Sequence, residues 1–241
     1  MWPFKSTSKL IDSGMFRNYT DWHSHILPGV DDGIKTMDDA LEVLKRYEEA
    51  GITKIWLTPH VMEDFPNTPE KLTERYAELK KAYTGNIDLR LASENMLDSL
   101  FEERLEKNEF LPIGDEGNHI LIETSYMNPP YGMDEMIEGA MKLGYELVLA
   151  HPERYRYMEE SDYYKWKERG LLFQTNYMSL VGGYGETARR KCEWLLKEGM
   201  IDVCGSDLHR LSFFNHCIAQ RPKKSSSLAQ LVDIAHNPHI K

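Results

Sequence analysis

Short apolar segments alternate with helix-like segments along almost the whole chain, and this alternation constrains the fold more than any other feature. Seven segments are predicted to be buried strands: 19–23, 52–57, 87–92, 119–122, 145–150, 170–174 and 201–204. Helices are predicted at 36–50, from residue 68, at 133–143, at 185–197 and, after a hinge at 223–227, near the C-terminus. Strands that are separated by helices pair in parallel, so the pattern predicts an α/β fold with either a barrel or an open sheet.

Polar side chains at the ends of the predicted strands distinguish these two architectures. Groups of this kind stand at or just after the C-terminal ends of six strands: His23, His25, His60, Glu94, Glu123, His151, Asp207 and His209. In a barrel all of these ends meet at one mouth, where catalytic groups are found, whereas an open sheet spreads them along an edge. We therefore predict a β/α barrel of seven strands.

The alternation begins at residue 19 and shows no compositional break, which indicates one domain over residues 19–241 after a polar N-terminal arm over residues 1–18. The net charge of −10 argues against a broad nucleic-acid-binding face. Three cysteines without paired spacing predict no disulfide framework, and no segment resembles a signal peptide or a membrane span. We expect a cytoplasmic protein that binds no nucleic acid and does not insert into a membrane.

The strand-end residues form a mixed set of nitrogen and oxygen ligands. His23 and His25 are two positions apart on an extended strand, so both imidazoles face the same side. Sharp Pro-Gly and Asp-Gly turns then return Asp31 or Asp32 toward the same point. The whole set exceeds what one metal ion needs and suffices for two or three, although each residue alone is compatible with a polar strand cap. The remaining histidines are expected to be structural or solvated: His119, His216, His236 and His239.

Taken in order, these motifs resemble the polymerase-and-histidinol-phosphatase (PHP) superfamily. More closely, they resemble the bacterial PHP-type protein-tyrosine phosphatases of the CpsB/YwqE type, which are linked to capsule and exopolysaccharide synthesis. The motifs that carry the resemblance are Asp21–Asp32, Thr58–His60, Glu94, Glu123, His151–Arg154 and Ser206–Arg210. The resemblance implies a distorted seven-stranded TIM-like barrel with three divalent metal ions, most often Mn²⁺, with Fe or Zn as alternatives. Ala92-Ser93 and Asn95, which flank Glu94, depart from the family pattern.

The resemblance also assigns ligands to the three metals. The first metal would be held by His23, His25, Glu94 and Asp207. Glu94 would bridge to a second metal, completed by Glu123 and His151. The third metal would be held by Asp32, His60 and His209, with Asp32 preferred to Asp31 because its distance from His23 fits the family pattern.

The activity implied by the resemblance is the hydrolysis of phosphotyrosine by a metal-bridged hydroxide. Three divalent ions, four carboxylates and a hydroxide leave a charge of about +1, which suits a phosphate dianion. Arg154 and Arg210 directly follow two ligand segments and are expected to bind phosphate oxygens, with surface ion pairs as the alternative. The implied substrate is the tyrosine-rich cytoplasmic tail of a membrane-bound tyrosine kinase that controls polysaccharide export. Four tyrosines are expected near the mouth, either against a peptide or packed in the barrel: Tyr126, Tyr131, Tyr155 and Tyr157.

Several other functions remain open. A PHP-type histidinol-phosphate phosphatase, or another small phosphomonoester phosphatase, would use the same metals and differ only in its pocket. Cys204 and Arg210 have the Cys-x5-Arg spacing of cysteine-based tyrosine phosphatases, but Asp207 between them would repel phosphate unless a metal neutralised it, so we interpret the spacing as accidental. An amidohydrolase would place a bridging lysine where this chain has Glu123. A metal-bound regulatory module would carry the same ligands without turnover.

Overall fold

The computed structural model of the protein describes residues 7–240 and contains the predicted alternation of strands and helices. The strands of this range are β1 (Tyr19–Ser24), β2 (Ile52–Leu57), β3 (His60–Val61), β4 (Asp88–Leu91), β5 (Glu94–Met96), β6 (His119–Glu123), β7 (Glu146–Ala150), β8 (Leu172–Asn176) and β9 (Val203–Gly205). Its helices are α1 (Met37–Ala50), α2 (Pro69–Ala82), α3 (Ser99–Lys107), α4 (Met133–Lys142), α5 (Glu160–Glu168), α6 (Glu186–Lys197), α7 (Leu211–Ile218) and α8 (Ser225–His236). None of these helices combines the length and the apolar character that a bilayer crossing requires.

The paired strands are all parallel, and together they form a distorted barrel. One sheet has the order β1-β2-β4 and the other has the order β3-β5-β6-β7-β8-β9. Thr58 and Pro59 interrupt the chain between β2 and β3, and Ala92 and Ser93 interrupt it between β4 and β5, so two strands pass from one sheet into the other. Counted with each interrupted strand as one, the described barrel has the seven strands that the sequence predicts.

β1 and β9 close the barrel. The backbone N–H of Asp207 donates to the carbonyl oxygen of His23 at 2.8 Å, and that of His25 donates to the carbonyl oxygen of Leu208 at 3.0 Å. Gly205 permits this approach, because a Cβ at that position would lie only 2.6 Å from the Cβ of His23. Since every strand runs in the same direction, closure brings all of the carboxyl ends to one mouth.

Two apolar clusters support this mouth. The larger one lies between the strands and the helices, and a smaller one is enclosed by the strands, where the rings of Trp22 and Trp56 stack with centroids 6.2 Å apart. The β1–β2 register shifts between Asp21 and Ser24, as it does at a β-bulge. Trp22 therefore packs in the enclosed cluster, while the next residue, His23, is directed to the mouth.

The predicted helices begin and end at their capping residues. Thr36 accepts a hydrogen bond from the backbone N–H of Asp39 and caps α1, and Gly51 ends that helix with a φ of 99°. Three helices, α3, α5 and α7, have no counterpart in the sequence analysis. The predicted hinge at 223–227 is wrong in its second half, because Ser225–His236 forms α8. Serine is tolerated in the first turn of a helix, so the three serines begin the helix and do not interrupt it.

The predicted N-terminal arm is only partly described, since residues 1–6 lie outside the described range. Three side chains of the remainder are buried in the larger cluster: Leu10, Met15 and Phe16. The ring of Phe16 makes edge contacts with Tyr177 at 5.3 Å and Phe214 at 6.3 Å. The expectation of a polar arm is therefore wrong for this stretch, because isolated apolar side chains in an irregular segment give no periodic signal. The division of the chain at residue 19 stays a prediction.

Candidate metal centre

The barrel mouth gathers the predicted ligand residues from six strand positions. They lie on or directly after β1 (His23, His25), β3 (His60), β5 (Glu94), β6 (Glu123), β7 (His151) and β9 (Asp207, His209), with Asp32 in the loop that precedes α1. Asp32 and His209 stand at the rim, and the other seven are buried. His119 begins β6 and lies near Glu146 at the other end of the barrel, as expected.

The first predicted group is compact. Nε2 of His23 and Nε2 of His25 are 3.0 Å apart, and each lies 3.2 Å from Oε2 of Glu94. Oδ1 of Asp207 lies 3.7 Å and 3.4 Å from the same two nitrogens. Ligands at 2.0–2.2 Å from one cation stand about 3.0–3.5 Å apart, so these four donor atoms have the separations of a coordination shell.

Glu94 joins this group to the second one. Its other oxygen, Oε1, lies 3.0 Å from Nε2 of His151, which is 3.7 Å from Oε2 of Glu123. Nδ1 of His60 also faces this group, at 2.8 Å from Oε1 of Glu123 and 3.1 Å from Oε2 of Glu94. One carboxylate, Glu94, is thus within 3.2 Å of four imidazoles.

The third group lies at the rim. Oδ1 of Asp32 is 3.2 Å from Nε2 of His209 and 3.5 Å from Nε2 of His60. Asp31, the alternative considered in the sequence, instead holds Nδ1 of His25 with its Oδ2 at 2.8 Å and accepts the backbone N–H of Gly33 with its Oδ1. The geometry therefore brings Asp32 into the group and makes Asp31 a support for His25.

The electrostatics of the protein without metal fit a cation site. Burial raises the pKa of Glu94, but the imidazoles of His23 and His60 outweigh it and hold the pKa well below its usual range. Burial and His25 lower the pKa of His60, whereas the carboxylates of Glu94 and Glu123 raise it to about 10. Protonated imidazoles thus neutralise the carboxylates. Even so, Oε2 of Glu94, Oε1 of Glu123 and Nδ1 of His60 are buried without a hydrogen-bond partner. Buried carboxylate oxygens and imidazole nitrogens that lack a hydrogen-bond partner are suitable ligands for divalent metal ions.

Two of the grouped residues have strained backbones. His151 has a φ of 35° and Asp207 has a φ of 53°, in the left-handed region that residues other than glycine rarely adopt. His151 directly follows β7, and Asp207 is the second residue after β9, so both lie where the chain leaves a strand at the mouth. Strain of this kind persists at functional sites because the surrounding structure enforces it.

Within the described barrel, β8 supplies no predicted ligand to the three groups, but its inward side chains link two members of the first group, His23 and Asp207. Nδ1 of His23 lies 2.8 Å from Oε1 of Gln174, Nε2 of Gln174 donates to Oδ1 of Asn176 at 3.0 Å, and Nδ2 of Asn176 donates to Oδ2 of Asp207 at 2.9 Å. An ionised carboxylate can only accept hydrogen bonds, so the side-chain NH2 group of Asn176 must face Asp207 and its oxygen must accept from Gln174. The oxygen of Gln174 then faces His23, so Nδ1 of His23 must carry the proton and donate it. Nε2 of His23 and Oδ1 of Asp207 then remain for a metal. The sequence analysis missed both amides, since a polar residue within a strand gives no specific signal.

The two predicted arginines line one cavity of about 420 Å³ at the mouth. Nη1 of Arg154 donates to Oδ2 of Asp207 at 2.6 Å, and its guanidinium lies between the rings of Tyr126 and Tyr184, 4.4 Å and 4.3 Å from their centroids. Burial lowers the pKa of Arg154, but Asp207 outweighs it and raises the pKa. Arg210 is exposed at the start of α7 on the wall of the same cavity.

The four candidate tyrosines lie in different surroundings. Tyr126 lines the cavity, whereas Tyr155 is buried and Tyr157 contacts Oγ1 of Thr124 at 2.7 Å. Tyr131 is fully exposed in the loop before α4. Tyr184, which the sequence analysis did not select, contributes a wall of the cavity.

Cys204 does not belong to the cavity. It is buried in the larger apolar cluster, its Sγ accepts a hydrogen bond from the hydroxyl of Tyr19 at 3.4 Å, and burial raises its pKa to about 12. A thiol of this kind is not a nucleophile at neutral pH. The Cys-x5-Arg spacing is therefore accidental, as interpreted.

Residues 19–226 match the family model described as "Capsular polysaccharide synthesis, CpsB/CapC". The chain belongs to the CpsB/CapC family. It is 27% identical over 198 residues to the putative tyrosine-protein phosphatase CapC of Staphylococcus aureus, covering 80% of this chain and 77% of the relative. It is 29% identical over 201 residues to the tyrosine-protein phosphatase YwqE of Bacillus subtilis strain 168, covering 81% and 79%.

One solved structure agrees with this family, and a second one shares the fold alone. A crystal structure from the study of YwqE of Bacillus subtilis and CpsB of Streptococcus pneumoniae, described as metal-dependent tyrosine phosphatases, has a TM-score of 0.74 and 25% identity, and covers 92% of this chain and 96% of that one. The lactonase Lmo2620 of Listeria monocytogenes has a TM-score of 0.53 at 12% identity over 98% of both chains, a likeness of fold alone. The predicted distorted barrel of this CpsB/CapC protein is confirmed.

Replacing Asn176 with alanine tests the amide link in this CpsB/CapC protein. The substitution removes the donor to Asp207 and the acceptor of Gln174, so the affinity for Mn²⁺ should fall by about 10–100-fold, measured by titration calorimetry. Thr175→Val is the matched control, because Thr175 lies on the opposite side of the same strand, with its Oγ1 3.5 Å from Sγ of Cys192. Equal affinities in the wild type and both variants would contradict a role for the link.

The raised pKa of His60 makes metal binding dependent on pH. A cation can bind His60 only if the imidazole loses its proton, so binding between about pH 7 and 9 should release protons, and the apparent affinity should rise with pH. The metal-free protein should also lose stability as the pH rises from about 7 through about 10, because the folded state binds the proton more tightly than the unfolded state does. Titration calorimetry in two buffers of different ionisation enthalpy measures the release, and identical heats would contradict it.

Proposed function

We propose that this protein is a metal-dependent protein-tyrosine phosphatase, a phosphoric monoester hydrolase that acts on phosphotyrosine in capsule or exopolysaccharide synthesis. The observation that carries the proposal is the convergence of four carboxylates and five imidazoles at one barrel mouth, beside a cavity that is lined by two arginines. The names of the relatives support it, because CapC and YwqE are both called tyrosine-protein phosphatases.

We propose three divalent ions, with Mn²⁺ as the native metal and Fe or Zn as alternatives. Their ligands are His23, His25, Glu94 and Asp207 for the first, Glu94, Glu123 and His151 for the second, and Asp32, His60 and His209 for the third. The separations within the three groups support this division, although His60 faces both the second and the third group through its two ring nitrogens. When bound, such ions act as Lewis acids and lower the pKa of water.

Arg154 and Arg210 are the residues that bind the phosphate. The site attracts a dianion despite the acidic surface, because three divalent ions against four carboxylates leave about +2. The guanidinium of Arg154 is already oriented by Asp207 and by two aromatic rings, so little conformational entropy is lost when it binds an oxyanion. Donors that are fixed where charge develops stabilise the transition state of phosphoryl transfer.

The remaining walls of the cavity suit an aromatic leaving group. Tyr126, Tyr184 and Phe213 line it together with the arginines. The phenyl ring that bears the phosphate in phosphotyrosine packs well against such walls, whereas the alkyl carbon that bears the phosphate in histidinol phosphate gains less from them. A tyrosyl leaving group has a pKa near 10, well below that of an alkyl alcohol, so its departure needs less protonation.

The physiological substrate that we propose is the cytoplasmic tail of a membrane-bound tyrosine kinase that regulates polysaccharide synthesis. This assignment extends the family resemblance and the capsule-synthesis description of the family. The cytoplasmic location expected from the sequence follows from the same substrate and stays a prediction.

The test is phosphate release from a phosphotyrosine peptide by the protein loaded with Mn²⁺. Wild-type protein should be active, a strong chelator should abolish activity, and Mn²⁺ should restore it. Arg154→Ala should lower kcat/KM by about 100-fold, because one fixed donor to the transition state contributes about 3 kcal/mol. Cys204→Ser should stay within about threefold of the wild type, because the thiol is buried outside the cavity.

The same assay contains the outcomes that contradict the proposal. The roles proposed for Arg154 and His60 would be excluded if Arg154→Ala and His60→Ala each kept kcat/KM for the peptide within about threefold of the wild type. A threefold change corresponds to less than ~0.7 kcal/mol of transition-state stabilisation. A kcat/KM that is higher for histidinol phosphate than for the peptide would favour a small phosphomonoester phosphatase. Arg17→Ala, an exposed arginine just before β1 and therefore at the other end of the barrel, is the matched control.

A further inference from the structure

A second, larger cavity continues from the one that holds the two arginines. It has a volume of about 820 Å³ and shares three walls with the smaller cavity: Tyr126, Arg154 and Tyr184. We call it the outer groove. A group whose phosphate reaches Arg154 can extend past these shared walls, so the outer groove is placed to meet what is attached to the phosphorylated side chain.

One wall of the outer groove is a pair of joined loops with exposed side chains, and the first half of α6 forms another. The backbone N–H of Arg156 donates to the carbonyl oxygen of Tyr126 at 2.8 Å, which ties the two loops together. Arg156 and Met127 are exposed there, and both line the groove. Of the four large apolar side chains that are exposed between residues 7 and 240, two, Met127 and Tyr131, lie in this one loop. Met127 thus gives the rim of the groove an exposed apolar contact point for a partner.

The charge of the outer groove differs from that of the whole chain, whose net charge is −10. Its two carboxylates are already engaged, because Glu153 accepts hydrogen bonds from the backbone of Asn176 and from Ser179, and Glu186 pairs with Arg189. Nζ of Lys191 is also engaged, since it donates to the carbonyl oxygens of Tyr155 and Met158 and so holds the wall in place. Arg156 is the exposed cation beside the shared walls.

We propose that the outer groove binds the polypeptide segment that flanks the phosphotyrosine of a protein substrate. Arg156 pairs with an acidic side chain of that segment, and Met127 packs against an apolar one. A polypeptide fits these observations because it offers charged and apolar groups along one extended chain that continues from the reacting side chain. A free small phosphomonoester would leave the groove empty. The inference rests on the proposed phosphatase function and adds the part of the substrate that decides specificity.

The test compares three substrates of the Mn²⁺-loaded protein: a phosphotyrosine peptide flanked by glutamate, the same peptide with glutamine in place of glutamate, and p-nitrophenyl phosphate. Wild-type kcat/KM should favour the glutamate peptide over the glutamine peptide by about two- to fivefold, the range expected for one exposed ion pair. Arg156→Glu should reverse this preference. Met127→Ala should lower kcat/KM for both peptides alike. All variants should hydrolyse p-nitrophenyl phosphate within about twofold of the wild type.

Two controls match the variants in chemistry and lie at the other end of the barrel. Arg17→Glu reverses the charge of an exposed arginine, and Leu143→Ala removes an exposed apolar side chain that directly follows α4. Neither should change the ratio between peptide and p-nitrophenyl phosphate. The proposal would be overturned if the wild-type protein showed no preference between the two peptides. It would also be overturned if Arg156→Glu changed the hydrolysis of p-nitrophenyl phosphate as much as that of the peptides.

A binding measurement separates the failure of the groove from the failure of the phosphatase. Fluorescence anisotropy with a non-hydrolysable difluorophosphonate version of each peptide gives Kd without turnover. If wild-type protein releases no phosphate from any substrate, the proposed function fails, and the Kd values alone decide whether Arg156 selects the glutamate peptide. If wild-type protein hydrolyses all three substrates but Arg156→Glu leaves both kcat/KM and Kd unchanged, the groove proposal fails by itself.

Discussion

The carboxylate of Glu94 is the group on which the rest of the site depends. It is completely buried and lies within 3.2 Å of four imidazole nitrogens, those of His23, His25, His60 and His151. A buried charge is tolerated only if it is paired, so the carboxylate requires cations, either protons on the imidazoles or metal ions. The imidazoles come from the end of β1, from β3 and from the end of β7, which the closed parallel barrel brings together around β5. The closed barrel therefore supplies the cationic groups that the buried carboxylate of Glu94 requires.

Much of this arrangement could be predicted from the sequence, because two strong signals coincide. An apolar strand is recognised from its composition, and the parallel order places every strand end at the same mouth. A histidine or carboxylate directly after such a strand, as at His60, Glu123 or His151, is then assigned to the mouth without any knowledge of packing. The choice of Asp32 over Asp31 came from the family pattern alone, and the geometry gives its reason, since Asp31 is turned back onto His25.

The parts that escaped prediction have weak or missing local signals. Helix α5 is rich in charged and aromatic residues and has little amphipathic contrast, so it resembles a loop in the sequence. Gln174 and Asn176 are ordinary inward residues of a strand until the tertiary structure places them between His23 and Asp207. Tyr184 lies far along the chain from Arg154 and reaches it only through the segment that follows β8. Such roles depend on long-range contacts and cannot be derived from spacing.

The substrate side of the mouth differs in kind from the metal side. Most of the predicted metal ligands lie on strands or just after them, whereas the outer groove is formed by loops and by the first half of α6, with exposed side chains such as Met127 and Arg156. Loops on a rigid scaffold can change without loss of the fold. A barrel of this type can therefore keep its cation site while its loops adapt to different phosphorylated partners.

Anomalous diffraction at the manganese edge, from crystals grown with Mn²⁺, tests the central claim most directly. We predict one peak among His23, His25, Glu94 and Asp207, a second beside Glu123 and His151, and a third beside Asp32 and His209. An active protein whose crystals show no manganese peak at the barrel mouth would contradict the account.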